Sequence, residues 1–432
     1  MTTEKIKYLI KNEEKRQKGV LEMIPSENYA SKDVRDAVGS VLMNKYSEGQ
    51  AGKRYYQGNK FIDEIEYDAI EQAKKLFRVP YANVQAYSGS PANSAVYFSL
   101  LERDDIIMGL ELASGGHLTH GHPKVTFSGR FFKSVQYSVE KNGLIDYSKL
   151  EKLAKQHKPK IIVSGTTAYP RKLNFKKFGE IADKVGAWHL ADISHIAGLV
   201  ATRQHQSPVP YAHVVMLTTH KTLRGPRGAI LLVTKLGLKK DPELANKLDK
   251  GVFPGLQGGP HNNTTAAIAI CLAEAATSKF VKYAKQVVAN AKVLAQELKK
   301  YDFNLVSGGT DNHLILIDLT NRGIDGWCAA WALEYAGIVL NRNSVPYDTK
   351  SAFYPSGIRL GTPAVTTRGM KEKEMLKIAQ WLNKAINIAK EYVPATDSKE
   401  TRLKFKNSVT ADKRLKAINL EIKRVCAKFP LP

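Results

Sequence analysis

The chain has 432 residues, 43% hydrophobic and 25% charged, with 65 Lys and Arg against 41 Asp and Glu for a net charge of +24. That length points to two or three domains rather than one small core, and the composition is globular throughout. Cys271, Cys328 and Cys426 lie far apart with no C-x-x-C pair, which excludes a disulfide framework, and the cations are interleaved with acids. So dispersed an excess suits solubility or attraction to a small anion better than a dedicated nucleic-acid surface.

The opening "MTTEKIKYLIKNEEKRQKGV" reads as a short, highly charged helix without the apolar stretch of a signal peptide. The longest uncharged apolar run, "TTAAIAICLA" around Ile270, is far short of a membrane span, so a soluble, cytoplasmic protein is expected. "NKYSEGQAGKRYYQGN" packs Tyr46, Glu48, Tyr55 and Tyr56 between glycines. It is too polar for a core and too aromatic for a linker: either a subunit or domain contact, or a binding loop in which Glu48 shuttles a proton. From about Phe61, helical stretches alternate with the apolar runs "DIIMGL", "PKIIVSG", "AWHLADIS", "HVVML" and "AILLV". That alternation predicts an α/β layer on a mostly parallel sheet.

Within this region Ser88, Gly89 and Ser90 precede Pro91 and a helix, which makes either an anion cradle of backbone N–H groups or an ordinary Ser-capped helix. "SGGHLTHGHP" carries His117, His120 and His122, but a zinc site lacks a further ligand of suitable spacing, so no metal is expected. A histidine lying over a flat aromatic cofactor is the better functional use. "HLADISHIAG" ends a strand on Asp192 with His195 shortly after, and "TTHKTLRGPRG" sets Lys221, flanked by His220 and Thr222, in a loop between two strands. Ligands collect at strand carboxyl ends in open α/β sheets, so Asp192 and Lys221 are expected to face one crevice. An aspartate to keep a pyridine nitrogen protonated and a lysine to form an imine is the pair a pyridoxal-phosphate enzyme needs. The bland alternative is a turn-capping Asp192 and a solvated Lys221. Gly258 and Gly259 in "FPGLQGGPHN" form a second glycine-rich loop, or simply a turn.

Near residue 280 the texture changes. "YAKQVVANAKVLAQELKK" is an amphipathic helix of about five turns by its spacing. Strands at "NLVSGG" and "HLILIDL", a helix at "WCAAWALEYA" and a basic helical tail then make a smaller α+β domain. Arg359 in "PSGIRLGTPAVTTRG" either grips a substrate carboxylate bidentately or serves a structural ion pair.

Taken together and in order, "IPSENY", "NKYSEG", "GKRYY", "SGSPAN", "GGHLTHG", "DISHIAGL", "TTHKTLRGPRG", "FPGLQGGPHN", "GTDNHL" and "SGIRLGTPAVTTRG" closely resemble serine hydroxymethyltransferases, from about Leu21 to about Met370. The resemblance implies a fold-type I pyridoxal-phosphate transferase, aspartate aminotransferase-like, with a mostly parallel mixed sheet. The expected divisions are an N-terminal helical arm (1–25), a large cofactor-binding α/β domain (26–280) and a small C-terminal α+β domain (281–432). It also implies a homodimer or homotetramer with shared sites, acting on serine, glycine and tetrahydrofolate, with no membrane or nucleic-acid partner.

By matching position, Lys221 would carry the cofactor, Asp192 would face the pyridine nitrogen, and His117 would stack on the ring beside His195. Ser88, Gly89 and Ser90 would hold its phosphate, with Gly258 and Gly259 reaching in from the neighbouring subunit. Thr167 and His220 would complete the surroundings. Ser26 and Arg359 would hold the serine carboxylate, while Glu48, Tyr46 and Tyr56 come from the partner, Glu48 handling the hydroxyl proton. Leu112, Leu118 and Asn343 would touch the folate. The chain departs from the family pattern at Thr167 (usually Ser), at Met216 and Leu217 (usually hydroxyl residues), and at Gln50, Ala51 and Gln57, where "YP" and a Gly are usual. Two rival readings are a folate-independent aldolase for β-hydroxy amino acids and a catalytically idle RNA-binding scaffold.

Overall fold

Short apolar runs bounded by turn residues have room for strands but not for helices, and here they assemble side by side. A computed structural model describes residues 2–123, 125–394 and 396–432. Strands β1 (Tyr81–Asn83), β2 (Ile106–Leu110), β3 (Lys133–Tyr137), β4 (Ile161–Gly165), β5 (Trp188–Asp192), β6 (Val214–Thr218) and β7 (Ala229–Val233) form a seven-stranded sheet in the order β1-β7-β6-β5-β4-β2-β3. From β3 to β6 all neighbours are parallel. Only β7 reverses, pairing antiparallel with both β6 and β1. β4, β6 and β7 are buried along their whole length, as expected of strands covered on both faces. β1 and β3 escape the sequence reading because they are the sheet's edges. The former is three residues long, and the latter, "KSVQY", buries only Tyr137.

This sheet belongs to a compact unit spanning Ala30–Lys285; a second unit joins the chain up to Tyr29 with Gln286–Pro432. The long helix runs Ser278–Lys300, starting before its periodic stretch, because Phe280 is buried a turn ahead of Ala284, where the pattern becomes regular. In the second unit β8 (Asn304–Leu305), β9 (Leu314–Asp318), β10 (Asn341–Asn343) and β11 (Gly357–Gly361) form an antiparallel sheet in the order β8-β9-β11-β10. Ile315, Ile317, Ile358 and Leu360 from it pack with Leu333, Leu382, Phe405 and Ile422 of the helices in one core.

The charged N-terminal helix, Thr3–Gly19, buries none of its own residues. The short strand after it anchors this end of the chain: Leu21–Glu22 pairs in parallel with Ile338–Val339. Arg368 donates to the carbonyls of Lys18 (3.0 Å), Val20 (2.8 Å), Cys426 (2.8 Å) and Phe429 (2.7 Å). One guanidinium thus satisfies the open carbonyl ends of the first and last helices.

Among the described residues no single helix is long and apolar enough to cross a membrane.

Candidate active site

Four of the parallel strands end in segments carrying predicted site residues: β2 before the His117 loop, β4 before Thr167, β5 at Asp192 and β6 before Lys221. The carboxyl edge of such a sheet is where its loops diverge and leave room for a ligand. Asp192 is buried there, and three donors converge on it. His120 Nε2 lies 2.9 Å and Asn93 Nδ2 3.1 Å from its Oδ2, while the Ser194 N–H reaches its Oδ1 at 3.0 Å. Burial alone would raise the Asp192 pKa, but the bonds from His120 and Ser194 and the charges of His120 and His117 outweigh it. The group is held well below the ordinary carboxylate range. His120 and Asn93 had no assigned role in the sequence reading; their signal was present as the second histidine of "GGHLTHG" and the asparagine of "SGSPAN".

His117 Nδ1 is 2.7 Å from Thr119 Oγ1, which also accepts from Asn93 at 2.8 Å, so the first histidine belongs to the same network. Among the described residues no three His, Cys, Asp or Glu side chains group as metal ligands. Leu112 and Leu118, on the same loop, expose 40% and 41% of their surface, the disposition of an apolar lip rather than of a core. Thr167 donates through Oγ1 to the Gly116 carbonyl at 2.7 Å, so the hydroxyl that survives at this position ties the β4 loop to the histidine loop.

Lys221 sits in the connection between β6 and the reversed β7, whose ends pair as Thr218 with Ala229. That connection is held from several sides. Thr219 N bonds the Gly228 carbonyl at 3.1 Å and Thr219 Oγ1 bonds that of Pro226 at 2.6 Å. Gly225 leaves no space for a Cβ, which would meet Cys271 Sγ at 2.6 Å. Arg224, at φ 63°, lies over the ring of Tyr283 at 4.4 Å. Thr222 Oγ1 donates to the His195 carbonyl at 3.0 Å, joining the loop of Lys221 to the loop beyond Asp192. His220 is pushed down to about 3 by burial and by the charges of Lys221 and Arg227, and its buried Nδ1 has no partner among the described residues. Met216 and Leu217 turn into the sheet's core, with Met216 Sδ 3.6 Å from Ser194 Oγ.

The helix Gly89–Leu100 begins at Ser88, whose side chain makes no capping bond. Its first N–H groups therefore remain available to an anion. A Cβ at Gly89 would meet Thr218 Cγ2 at 2.7 Å, so only glycine lets this helix start seat on the end of β6.

A second cluster gathers Tyr46, Glu48 and Tyr56 with Gly258 and Gly259. A Cβ at Gly258 would lie 3.5 Å from Glu48 Oε1, and one at Gly259 would lie 3.3 Å from the Tyr46 ring. Tyr46 and Tyr56 rings are 5.1 Å apart, and Tyr46, Tyr55 and Tyr56 expose 57%, 73% and 45% of their surface. Underneath, Arg54 is buried and pairs with Asp63 and Glu66, each at 2.8 Å, and donates to the Ser47 carbonyl at 2.9 Å. Glu66 also accepts from Gln85 at 2.8 Å and from the Ala51 N–H at 3.3 Å, a bond that the family's usual proline at that position has no N–H to make. Arg54→Ala should leave Glu66 buried without its cation and cost about 3–5 kcal/mol, read as a lowered urea midpoint. A loss below about 1 kcal/mol would show the network to be a solvated ion pair.

Ser26, Arg359 and Asn343 lie in the other unit. Arg359, on β11, is pushed down to about 10 by burial and donates through Nε to Asn341 Oδ1 at 3.0 Å. The Gly361 N–H bonds the Met23 carbonyl at 2.7 Å, and Pro25 packs on Gly361, which brings the Ser26 segment alongside the strand of Arg359. Asn343 donates to the Ser344 carbonyl at 2.7 Å.

The residues of the sheet edge fit a phosphorylated pyridine. A buried, ionised carboxylate suits a ring N–H⁺, the uncapped helix start suits a phosphate, and the orphaned His220 nitrogen still has bonding capacity. Such a sheet, with these groups at its carboxyl edge, defines an α/β enzyme of the fold-type I pyridoxal-phosphate class.

Over residues 1–382 the chain matches the family described as serine hydroxymethyltransferase. It is 56% identical over 376 residues to the serine hydroxymethyltransferase of Acidothermus cellulolyticus, covering 87% of this chain and 86% of that one. It is 50% identical over 424 residues to the serine hydroxymethyltransferase of Desulfotalea psychrophila, covering 98% and 93%. The chain belongs to the serine hydroxymethyltransferase family. It is a pyridoxal-phosphate-dependent transferase of one-carbon metabolism that uses tetrahydrofolate as cosubstrate and interconverts serine and glycine.

Proposed function

We propose that the chain transfers the serine hydroxymethyl carbon reversibly to tetrahydrofolate, giving glycine and 5,10-methylenetetrahydrofolate, with Lys221 and Asp192 at the centre of the site. The observation that carries the assignment is the buried Asp192 carboxylate at the end of β5, kept ionised by three donors and joined through His195 and Thr222 to the loop of Lys221. Bound pyridoxal phosphate supplies an electron sink that lets a bond at the substrate Cα break. Asp192 holds the ring nitrogen protonated, His117 orients the ring from one side, and His195 lies beside it. Ser88, Gly89 and Ser90 bind the phosphate through the open helix start. Lys221 holds the cofactor covalently and takes up or returns a proton at its Nζ. Thr167 and His220 position these groups, and Arg359 with Ser26 holds the substrate carboxylate. Glu48 exchanges the proton of the serine hydroxyl, next to Tyr46 and Tyr56. Leu112, Leu118 and Asn343 line the folate site.

The functional form is a homodimer or a pair of dimers in which Tyr46, Glu48, Tyr56, Gly258 and Gly259 complete the neighbour's site. Exposure of three tyrosines on a loop braced from beneath supports this reading. A cytoplasmic location suits three buried, unbridged cysteines.

The test is serine turnover with and without tetrahydrofolate, on the wild type and on Glu48→Gln. The wild type should depend strongly on folate, and the variant should lose transfer by about a hundredfold while keeping the cofactor's absorption. A wild-type rate indifferent to folate would establish a folate-independent aldolase instead. Unchanged transfer in the variant would remove Glu48 from proton handling.

A further inference from the structure

The second unit carries a cavity of about 920 Å³ that the proposed chemistry leaves unused. Its size falls within the range of small-molecule sites, about 300–1,000 Å³. It lies between the N-terminal helix and the last two helices, with Trp331 and Tyr335 of the helix Gly326–Tyr335 in its lining. The last two helices, Lys399–Ala411 and Lys413–Cys426, lie beyond the residues matched by the family.

Its electrostatics are one-sided. Lys15, Lys406, Lys416 and Lys423 line the cavity, and none of them has an ion-pair partner among the described residues. Other cations on the same rim are neutralised within their own helix, Arg16 by Glu13 at 2.7 Å and Lys18 by Glu14 at 2.6 Å. The single carboxylate in the lining is Glu334. Four ammonium groups with no carboxylate partner around one concavity repel one another, and an apolar lining focuses their field where an anion would sit. Lys406 Nζ lies 3.5 Å from the centre of the Trp331 ring, so positive charge and a flat aromatic face occupy the same spot. An inorganic anion would use the lysines and ignore the ring; an apolar ligand would do the reverse. A flat heterocycle bearing several negative charges uses both.

We propose that this cavity binds a nucleoside polyphosphate, its base against Trp331 and Tyr335 and its phosphates on Lys406, Lys416 and Lys423. A volume of about 920 Å³ suits one nucleotide. The proposal does not depend on the roles given to Lys221 or Asp192, because every lining residue lies in the other unit.

The test is calorimetric titration of the holoenzyme, cofactor in place, with ATP, AMP, inorganic triphosphate and a single-stranded oligonucleotide. ATP should bind saturably at one per chain, with AMP and inorganic triphosphate each weaker by about tenfold, since each lacks one half of the recognition. Lys406→Ala/Lys416→Ala/Lys423→Ala should weaken ATP by about a hundredfold and leave serine turnover unchanged, which also reports that the variant is folded. Trp331→Phe should remove the ATP-dependent quenching of tryptophan fluorescence. The proposal is overturned if the wild type shows no saturable ATP binding, if the triple variant binds ATP as the wild type does, or if inorganic triphosphate binds as tightly as ATP. It is overturned equally if the oligonucleotide binds more tightly than ATP, which would make the groove a nucleic-acid surface.

Discussion

Lys221→Ala is expected to lower serine turnover by about 10⁴-fold or more, because the group that holds the cofactor covalently has no substitute nearby. The loop that presents it should survive the change. Its fixed points are the Thr219 bonds to Gly228 and Pro226, the Thr222 bond to the His195 carbonyl, and Arg224 packed on Tyr283. None of these is made by the side chain removed, so the variant is expected to keep its fold, read as a single cooperative thermal transition. The informative second variant is Lys221→Arg, which keeps the positive charge but presents a guanidinium that stays protonated and cannot act as a nucleophile. Both variants should fail to retain cofactor on the denatured chain after borohydride reduction, whereas the wild type retains it. Lys221→Arg at more than a tenth of the wild-type rate would reduce Lys221 to a provider of charge.

The interior of the sheet was legible in the sequence because its strands are short runs of apolar residues with turn chemistry at both ends. "HVVML" and "AILLV" could hardly be anything else at that length. The edges were not legible, since an edge strand such as Lys133–Tyr137 mixes polar and apolar residues and looks like a loop. Nor was the reversal of β7, because an antiparallel return through a ten-residue loop leaves no mark in hydrophobic periodicity. Polar residues at strand ends are ordinary, so Lys221 and Asp192 could be named only because the motifs around them are specific when read together and in order. His120 went without a role for the opposite reason: a histidine in a glycine-rich loop has many uses. Only the approach of β2 and β5, separated by β4, makes it a partner of Asp192. The basic groove of the second unit was equally hidden. The basic tail itself was visible, but that Lys406, Lys416 and Lys423 of its two helices converge with Lys15 of the N-terminal helix, at the other end of the sequence, was not.

Asp192→Asn separates the two things this carboxylate does. In the wild type Oδ2 accepts from His120 and Asn93, and Oδ1 accepts from the Ser194 N–H. An amide must turn its NH₂ toward one of these positions. Placed at Oδ1 it opposes only the Ser194 N–H, so that orientation wins, leaving that N–H and the new NH₂ both unmet at a cost of about 1–3 kcal/mol for each buried donor. The folded-state pKa of Asp192 is depressed, so its contribution to stability is present above the unfolded carboxylate value of about 3.9 and is lost as pH falls through the lower folded value. The variant should therefore be measurably less stable at neutral pH, and the difference should shrink in acid. The chemical loss is larger. A neutral amide cannot hold a positive charge on a ring nitrogen, and removing this fixed electrostatic partner is expected to cost roughly a thousandfold in turnover. Cofactor should still bind through Lys221 and the helix start at Ser88, with its absorption band displaced. A variant that keeps turnover within tenfold of wild type while showing the same loss of stability would make Asp192 a buried structural acid, and the electronic role assigned to it would be wrong.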